Sequence, residues 1–346
     1  MRRVLALASG LTAAALLLAS CGGGSPEPVE EGTGTASPGT SGGKAMLLSL
    51  NQANEHPTYI ALDNWSTSLG MATEGRWSID VFPNEALGTQ DEALQLVSDG
   101  SVDMAVVSSP HLENLNPDFT ALEMPGVFDS VEEQVRVLND PAISGDLFTS
   151  LEAERRITVL GVLTQGARSV YTSFGKVETP ADLAGRQIRV QETEKWIAIA
   201  EALGGSATPM AFGELYAGLQ AGLVDAAENN EVSYWTQRHH EVAPHWSYTN
   251  HVIGADYVII NTDTLHSMSD ADRAAFLAGF TAASTEHVAL WGQATRAAID
   301  GATAAGATFH QIDATPFTQA LAAIAPDLLD SETQRALYDA VVAAAG

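Results

Sequence analysis
The chain is 346 residues long, and its 43 Asp and Glu against 16 Lys and Arg give a formal net charge of −27. A chain this acidic repels nucleic acid and anionic lipid, so neither is an expected partner, and an anionic ligand has to be held by a few well-placed cations. The single cysteine, Cys21, excludes an intrachain disulfide, a Cys-based metal site and thiol chemistry elsewhere in the chain.

In chain order, Arg2 and Arg3 precede a mostly apolar run from Val4 to Ala19, which closes on Leu18-Ala19-Ser20-Cys21. The run is too short to span a bilayer comfortably, and small residues ahead of a cut site read as a signal peptide over 1–20. Leu-Ala-Ser-Cys looks like a bacterial lipobox, so Cys21 is the expected lipidation site and the protein is expected outside the cytoplasm, held to a membrane by lipid. The stretch 21–44 is rich in Gly, Ser, Thr, Pro and Glu. It reads as a flexible linker, because it cannot bury enough surface to offset its ordering entropy.

Roughly 300 residues remain, enough for one large domain or two lobes. Short apolar runs alternate with amphipathic stretches, which indicates α/β architecture. A strand over 46–50 enters at Asn51, and Pro57 opens a helix with Leu62, Trp65 and Leu69 on one face. A strand follows at 78–82. Thr89-Gln90-Asp91-Glu92 is a capping box, and its helix stops near Gly100. A buried strand at 103–107 runs into Ser108. A second block starts at 157–163 and continues through Arg168 to Ser173, with a helix start at Thr179-Pro180, a strand at 187–190 and a helix over 193–203. Another strand, 223–226, ends at Glu228-Asn229-Asn230. After a strand at 257–260 comes a long helix over 269–303, whose apolar stripe reads Leu277, Phe280, Val288, Trp291 and Ile299. Two amphipathic segments, opened by Thr315-Pro316 and by Ser331-Glu332-Thr333-Gln334, end the chain.

Ligands in open α/β sheets gather beyond the carboxyl ends of strands. Asn51, Ser108, Arg168 and Asn229 follow strand-like runs, and Arg189 lies inside another. The arginine fork matches a carboxylate through two parallel hydrogen bonds, so Arg168 and Arg189 are a candidate clamp. Spacing alone favours the plainer reading, arginines on a solvated face or paired with Asp or Glu. No nucleophile elbow, phosphate loop or zinc helix motif occurs, and His239-His240 would diverge by about 100° on a helix. No catalytic residue, metal site or cofactor is therefore expected.

The run from Ala207-Thr208-Pro209-Met210-Ala211-Phe212-Gly213-Glu214-Leu215-Tyr216 through Gly222-Leu223-Val224-Asp225 to Glu228-Asn229 resembles the central signature of DctP-type solute-binding proteins of TRAP transporters. Pro180-Ala181-Asp182-Leu183-Ala184-Gly185 leading to Ile188-Arg189-Val190 is similar to the same family, as is Leu87-Gly88-Thr89-Gln90 with Gly100-Ser101-Val102-Asp103. The resemblance implies an α/β, two-lobed, periplasmic-binding-protein-like fold with a ligand cleft between lobes and a long helix bracing both. The expected division is 45–165 for the first part of lobe I, 166–254 for lobe II, 255–312 for the return to lobe I with the long helix, and 313–346 for C-terminal helices. It implies no enzymatic activity, an organic acid as ligand, and the transporter's membrane subunits as partner. Carried over, it makes Arg189 the principal carboxylate-pairing residue, Arg168 the second cation, Asn229 a hydrogen-bonding partner and Phe212 a lid. Asn51, Ser108 and His251 fall where the family has ligand contacts, and Trp196 offers a stacking face. Gln191-Glu192-Thr193 and Glu228-Asn229-Asn230 resemble a branch binding sugar acids and dicarboxylates. The segment 250–256 departs from that branch. The competing readings are an ABC-type binding lipoprotein and, further off, a cell-envelope hydrolase.

Overall fold
Two long antiparallel strands form the spine of the protein. The computed structural model describes residues 43–346; the expected signal peptide, Cys21 and nearly all of the linker lie outside the described residues. The strands are β1 (Lys44–Ser49), β2 (Trp77–Phe82), β3 (Met104–Ser108), β4 (Ile157–Thr172), β5 (Gln187–Val190), β6 (Ser206–Pro209), β7 (Ala226–Asn229), β8 (His245–Asn261) and β9 (Thr308–His310). They form one sheet in the order β2-β1-β3-β8-β4-β7-β5-β6, with β9 beside β8. β1 pairs in parallel with β2 and β3, β5 pairs in parallel with β6 and β7, and the antiparallel pair β4–β8 joins the two halves.

Both faces of each half are covered, and the alternation of side chains shows how. Ala105, Val107, Tyr257 and Ile259 enter one core, whereas Met104, Val106, Val258 and Ile260 enter another on the opposite face. In the other half Val170 and Ala226 face a core with Trp196, while Tyr171 and Ala227 face one with Trp246. The register of β4 on β8 shifts between Val159 and Gly161, Thr164 and Gly166, and Arg168 and Val170. At Gly166 (φ +68°) a Cβ would come within 2.6 Å of the Trp291 ring, so only glycine fits the bulge where β4 passes under the long helix.

That helix, Asp270–Ala304, is capped by Ser269. Near its start Phe276 and Phe280 pack on Trp65 of helix Pro57–Ala72, and near its end Gly301 lies against Trp235 of helix Glu231–Thr236. It thus braces both halves of the sheet. Its buried face is Phe276, Phe280, Ala283, His287, Trp291, Ala298 and Ala302. Of the expected stripe, Phe280 and Trp291 lie on this buried face, whereas Leu277 is 41% exposed and Val288 and Ile299 are only partly buried. The inner face mixes aromatic residues with small ones, Phe276 and Phe280 packing on Trp65 while Ala283, Ala298 and Ala302 lie buried beside them. The capping box of helix Gln90–Asp99 forms as expected, with Gly100 as its left-handed C-cap. The strand expected at 223–226 begins only at Ala226. Gly222 (φ +69°) ends the preceding helix Leu215–Gln220, and the Leu223 amide bonds back to Gly218.

Candidate functional site
Residues at the carboxyl ends of β1, β3, β5 and β7 converge on two adjoining cavities of about 310 Å³ and 650 Å³. Asn51, Ser108, Arg168 and Asn229 line the first, Arg189 lines the second, and Phe212 lines both together with Gln90 and Gln191. The structure therefore brings six of the sequence-derived candidates together. Phe212, on the short turn after β6, places its ring 5.8 Å from the Arg189 guanidinium.

The two arginines are not equivalent. Arg168 is 1% exposed. Its Nε donates to Glu228 Oε2 at 2.6 Å, and its Nη2 donates to Glu228 Oε1 at 2.7 Å and to the Glu228 carbonyl at 3.1 Å. Its Nη1 donates to Gln165 Oε1 and, at 3.2 Å, to Asn229 Oδ1. A guanidinium has five N–H groups, and all five are engaged. Burial alone would raise the Glu228 carboxyl, but Arg168 beside it holds that pKa down at about 2. Arg168, expected as a second ligand-pairing cation, lines the smaller cavity but has its charge balanced by Glu228 and each of its N–H groups on a protein acceptor.

Arg189 is 2% exposed. Its Nε and Nη2 donate to the Met210 carbonyl at 2.9 and 2.7 Å, while its buried Nη1 has no partner. Burial lowers its pKa from the ordinary guanidinium value. A cation desolvated against one carbonyl with a free donor is set to receive an anion.

Two other candidates leave the cavity. His251 is buried behind Glu228, with Nε2 3.3 Å from Glu228 Oε2 and Nδ1 2.9 Å from Thr249 Oγ1, and it lines neither cavity. Trp196 has no exposed surface and belongs to a hydrophobic core, where its ring lies 5.0 Å beneath the Arg168 guanidinium. Neither touches the cavity space, because Arg168 and Glu228 stand between. Asn229 spends its Oδ1 on Arg168 and on the Asn230 amide at 2.8 Å. Ser108 donates to Asp256 Oδ1 at 3.0 Å and accepts from Gln165 Nε2 at 2.9 Å.

Sequence reasoning missed Gln52, His56, Gln165, Asn230, Ser233 and Asp256, all on the wall of the smaller cavity. The visible signal was Asp256, a charge inside the apolar run Val252 to Ile260 of β8. Buried side-chain atoms without a partner concentrate here: Asn51 Oδ1, Gln52 Oε1, Gln191 Oε1, His56 Nε2 and Arg189 Nη1 all belong to cavity-lining residues. His56 Nδ1 accepts from the Thr58 amide at 3.2 Å, which puts its proton on Nε2. Burial, with His287 nearby, holds the His56 pKa near 3, so the ring is neutral. Native proteins rarely leave such atoms orphaned, and an occupant carrying hydroxyls and one carboxylate would satisfy them.

Among the described residues no group of three or more His, Cys, Asp or Glu side chains could hold a metal ion, and no helix is long and apolar enough to cross a membrane.

Comparison with known proteins agrees with this geometry. The model of the DctP family, bacterial extracellular solute-binding protein family 7, matches residues 48–332. A solute-binding protein of Chromohalobacter salexigens is 31% identical over 258 residues, covering 75% of this chain and 76% of that protein. A TRAP periplasmic solute-binding protein from Anaerococcus prevotii, solved with bound D-glucuronate, superposes with a TM-score of 0.82 at 32% identity, covering 87% of this chain and 97% of that one. One from a Bradyrhizobium species, in complex with D-galacturonate, gives 0.82 at 28% identity, covering 87% and 100%. These relatives are binding proteins, not enzymes, and they share the two-lobed fold. By the extent of the family match and by that likeness, the chain belongs to the DctP family of bacterial extracellular solute-binding proteins.

Proposed function
We propose that the protein is the extracytoplasmic solute-binding component of a TRAP transporter and that its ligand is a sugar acid. One observation carries the reading: a buried guanidinium NH₂ without a partner, Nη1 of Arg189, beside a wall of amides whose carbonyl oxygens Asn51 Oδ1, Gln52 Oε1 and Gln191 Oε1 also lack partners. The donor suits one carboxylate. The orphaned oxygens need O–H groups, which a polyol provides and a simple dicarboxylate does not. The glucuronate and galacturonate bound by the two structural relatives have this composition.

The ligand carboxylate pairs with Arg189, Phe212 covers its apolar face, and the amides take its hydroxyls. The lobe segments 45–165, 166–254, 255–312 and 313–346 move about the β4–β8 crossing, where the bulge at Gly166 sits opposite Gly254. Closure removes water from the ion pair and strengthens it, and the closed form is what the membrane subunits take up. Leu18-Ala19-Ser20-Cys21 supports a lipid on Cys21; Cys21→Ala releasing the protein from the membrane fraction is the result expected, and unchanged fractionation would refute the anchor.

The test is titration calorimetry with D-glucuronate, D-galacturonate, succinate and a neutral hexose. Binding of the uronates alone is expected, with Arg189→Ala losing about 2–5 kcal/mol, at least ~30-fold in Kd. Arg189→Lys loses affinity as well, because the fork is gone. Wild-type affinity in Arg189→Ala would place the clamp elsewhere, and tight succinate binding without uronate binding would overturn the ligand class.

A further inference from the structure
Asp256 is a carboxylate on the wall of a cavity built to take an acid, and it has no cationic partner of its own among the described residues. It is 1% exposed and lies on β8 opposite Leu163 of β4. Oδ1 accepts from Ser108 Oγ at 3.0 Å and from Gln165 Nε2 at 2.5 Å, and Oδ2 accepts from Gln52 Nε2 at 2.8 Å. None of the ion pairs among the described residues involves Asp256; the nearest guanidinium that acts on it, Arg168, is already neutralised by Glu228. A carboxylate has about four lone-pair sites, and three are in use. The fourth has only the cavity to turn to.

Arg189 and Asp256 line different cavities of the adjoining pair, with Gln90, Gln191 and Phe212 common to both. A ligand whose carboxylate sits on Arg189 therefore presents its other end to Asp256. That end meets a buried carboxyl with an open acceptor, whose burial pushes its pKa up while hydrogen bonds from Gln165, Ser108 and Gln52 favour its charged form. A hydroxyl donates to it. A second carboxylate offers no proton and brings like charge into a desolvated site, which weakens its binding.

We propose that Asp256 is a specificity-determining residue: it reads a hydroxyl at the end of the ligand remote from Arg189 and rejects ligands carrying a second carboxylate there. The inference rests on the sugar-acid reading of the site and narrows it to monocarboxylates. It also gives the departing segment 250–256 a meaning, since the residue that closes that segment supplies the discrimination.

The matched probes are D-galactonate and galactarate, open-chain acids that differ only at one end, where a hydroxymethyl group replaces a carboxylate. D-Galacturonate serves as the positive control for the site. Calorimetry on the purified full-length protein should show galactonate bound at least ~30-fold more tightly than galactarate. In Asp256→Asn that ratio should fall below about 5-fold, mainly because galactarate gains. The variant is compatible with the fold: Asn keeps one acceptor for Ser108 and Gln165, and rotation of the Gln52 amide turns its unpartnered Oε1 toward the new NH₂. Thermal unfolding checks that it is folded. Equal affinity of the wild-type protein for galactonate and galactarate would overturn the inference without any variant, and so would a folded Asp256→Asn that keeps the full ratio. If galacturonate and galactonate both fail to bind while succinate binds, the sugar-acid reading has failed and the inference falls with it. If galacturonate and galactarate bind equally well, the inference alone has failed.

Discussion

Replacing Glu228 by Gln isolates the worth of the buried pair beneath the cavity. Glu228 has no exposed surface, and its carboxylate receives Arg168 Nε and Nη2 at 2.6 and 2.7 Å. Its pKa is lowered from 4.5 to about 2. A drop of that size corresponds to about 3 kcal/mol at 1.36 kcal/mol per unit. Breaking a buried ion pair by removing one partner costs about 3–5 kcal/mol, so the two routes agree. Gln keeps the shape but offers an amide NH₂ to one of the two Arg168 donors, and it leaves the guanidinium charge uncompensated. The sign with pH follows from the lowered folded-state value. The stabilisation is fully present above the unfolded pKa near 4.5 and is lost as pH falls through the folded pKa near 2. Urea unfolding of both proteins at intervals from pH 7 to pH 3 reads this directly. The variant should be weaker by about 3 kcal/mol at pH 7, and the gap should close by about 1.4 kcal/mol per pH unit below about pH 4.5. A deficit under ~1 kcal/mol at pH 7, or a gap that does not change with pH, would refute the account.

Two further perturbations test the frame that holds the site. Lys195 Nζ donates to Glu113 Oε1 at 2.5 Å and to Glu123 Oε2 at 2.9 Å, all of them buried. Lys195→Met leaves two facing carboxylates, so the variant should lose about 3–5 kcal/mol near pH 7 and recover part of it on acidification as a proton takes the place of the cation; a loss equal at pH 7 and pH 5 would contradict this. Gly166→Ala forces a Cβ to within 2.6 Å of Trp291 at a φ of +68°, so it should lower the melting temperature by several degrees and change the environment of Trp291 as seen by fluorescence. An unchanged melting temperature would mean that the bulge relaxes freely.

The parts of the fold legible in the sequence are those whose signals are local. The capping box at Thr89–Glu92, Pro57 at a helix start and Ser269 ahead of the long helix each fix a boundary within a few residues, and each forms as expected. β8 was legible only over its apolar end. At its other end His245, Trp246 and Ser247 pair with β4 and β9, and the register shifts before Val252, where polar residues such as Thr249 and Asn250 break the apolar pattern. The long helix was placed correctly but its inner face only in part, because alanines there carry less weight in a hydrophobic pattern than the half-exposed Leu277 and Ile299. At the site, Arg189, Phe212 and Asn51 could be placed by motif and by position after a strand. That Arg168 is spent on Glu228 could not, since residues 60 apart in sequence meet only through the β4–β7 pairing of Val170 with Glu228.

The acidity of the chain and the acid it is proposed to carry are reconciled at the scale of single side chains. Surface charges are screened over about 8 Å at physiological ionic strength, so most of the −27 acts on encounter more than on the bound ligand. Inside the site the accounts are local and uneven. Arg168 and Glu228 cancel, Arg189 keeps one unpartnered NH₂, and Asp256 holds the only cavity-wall charge among the residues lining the smaller cavity besides Arg168. A desolvated cation at one end and a desolvated anion at the other define a polarity along the ligand that a uniformly basic pocket would lack. Such a pocket would attract every organic acid, mono- or dicarboxylate. A single buried guanidinium NH₂ without a partner, opposed by a buried carboxylate, accepts one charge in one orientation, and the unfilled amide oxygens between them require that the rest of the ligand carry hydroxyls.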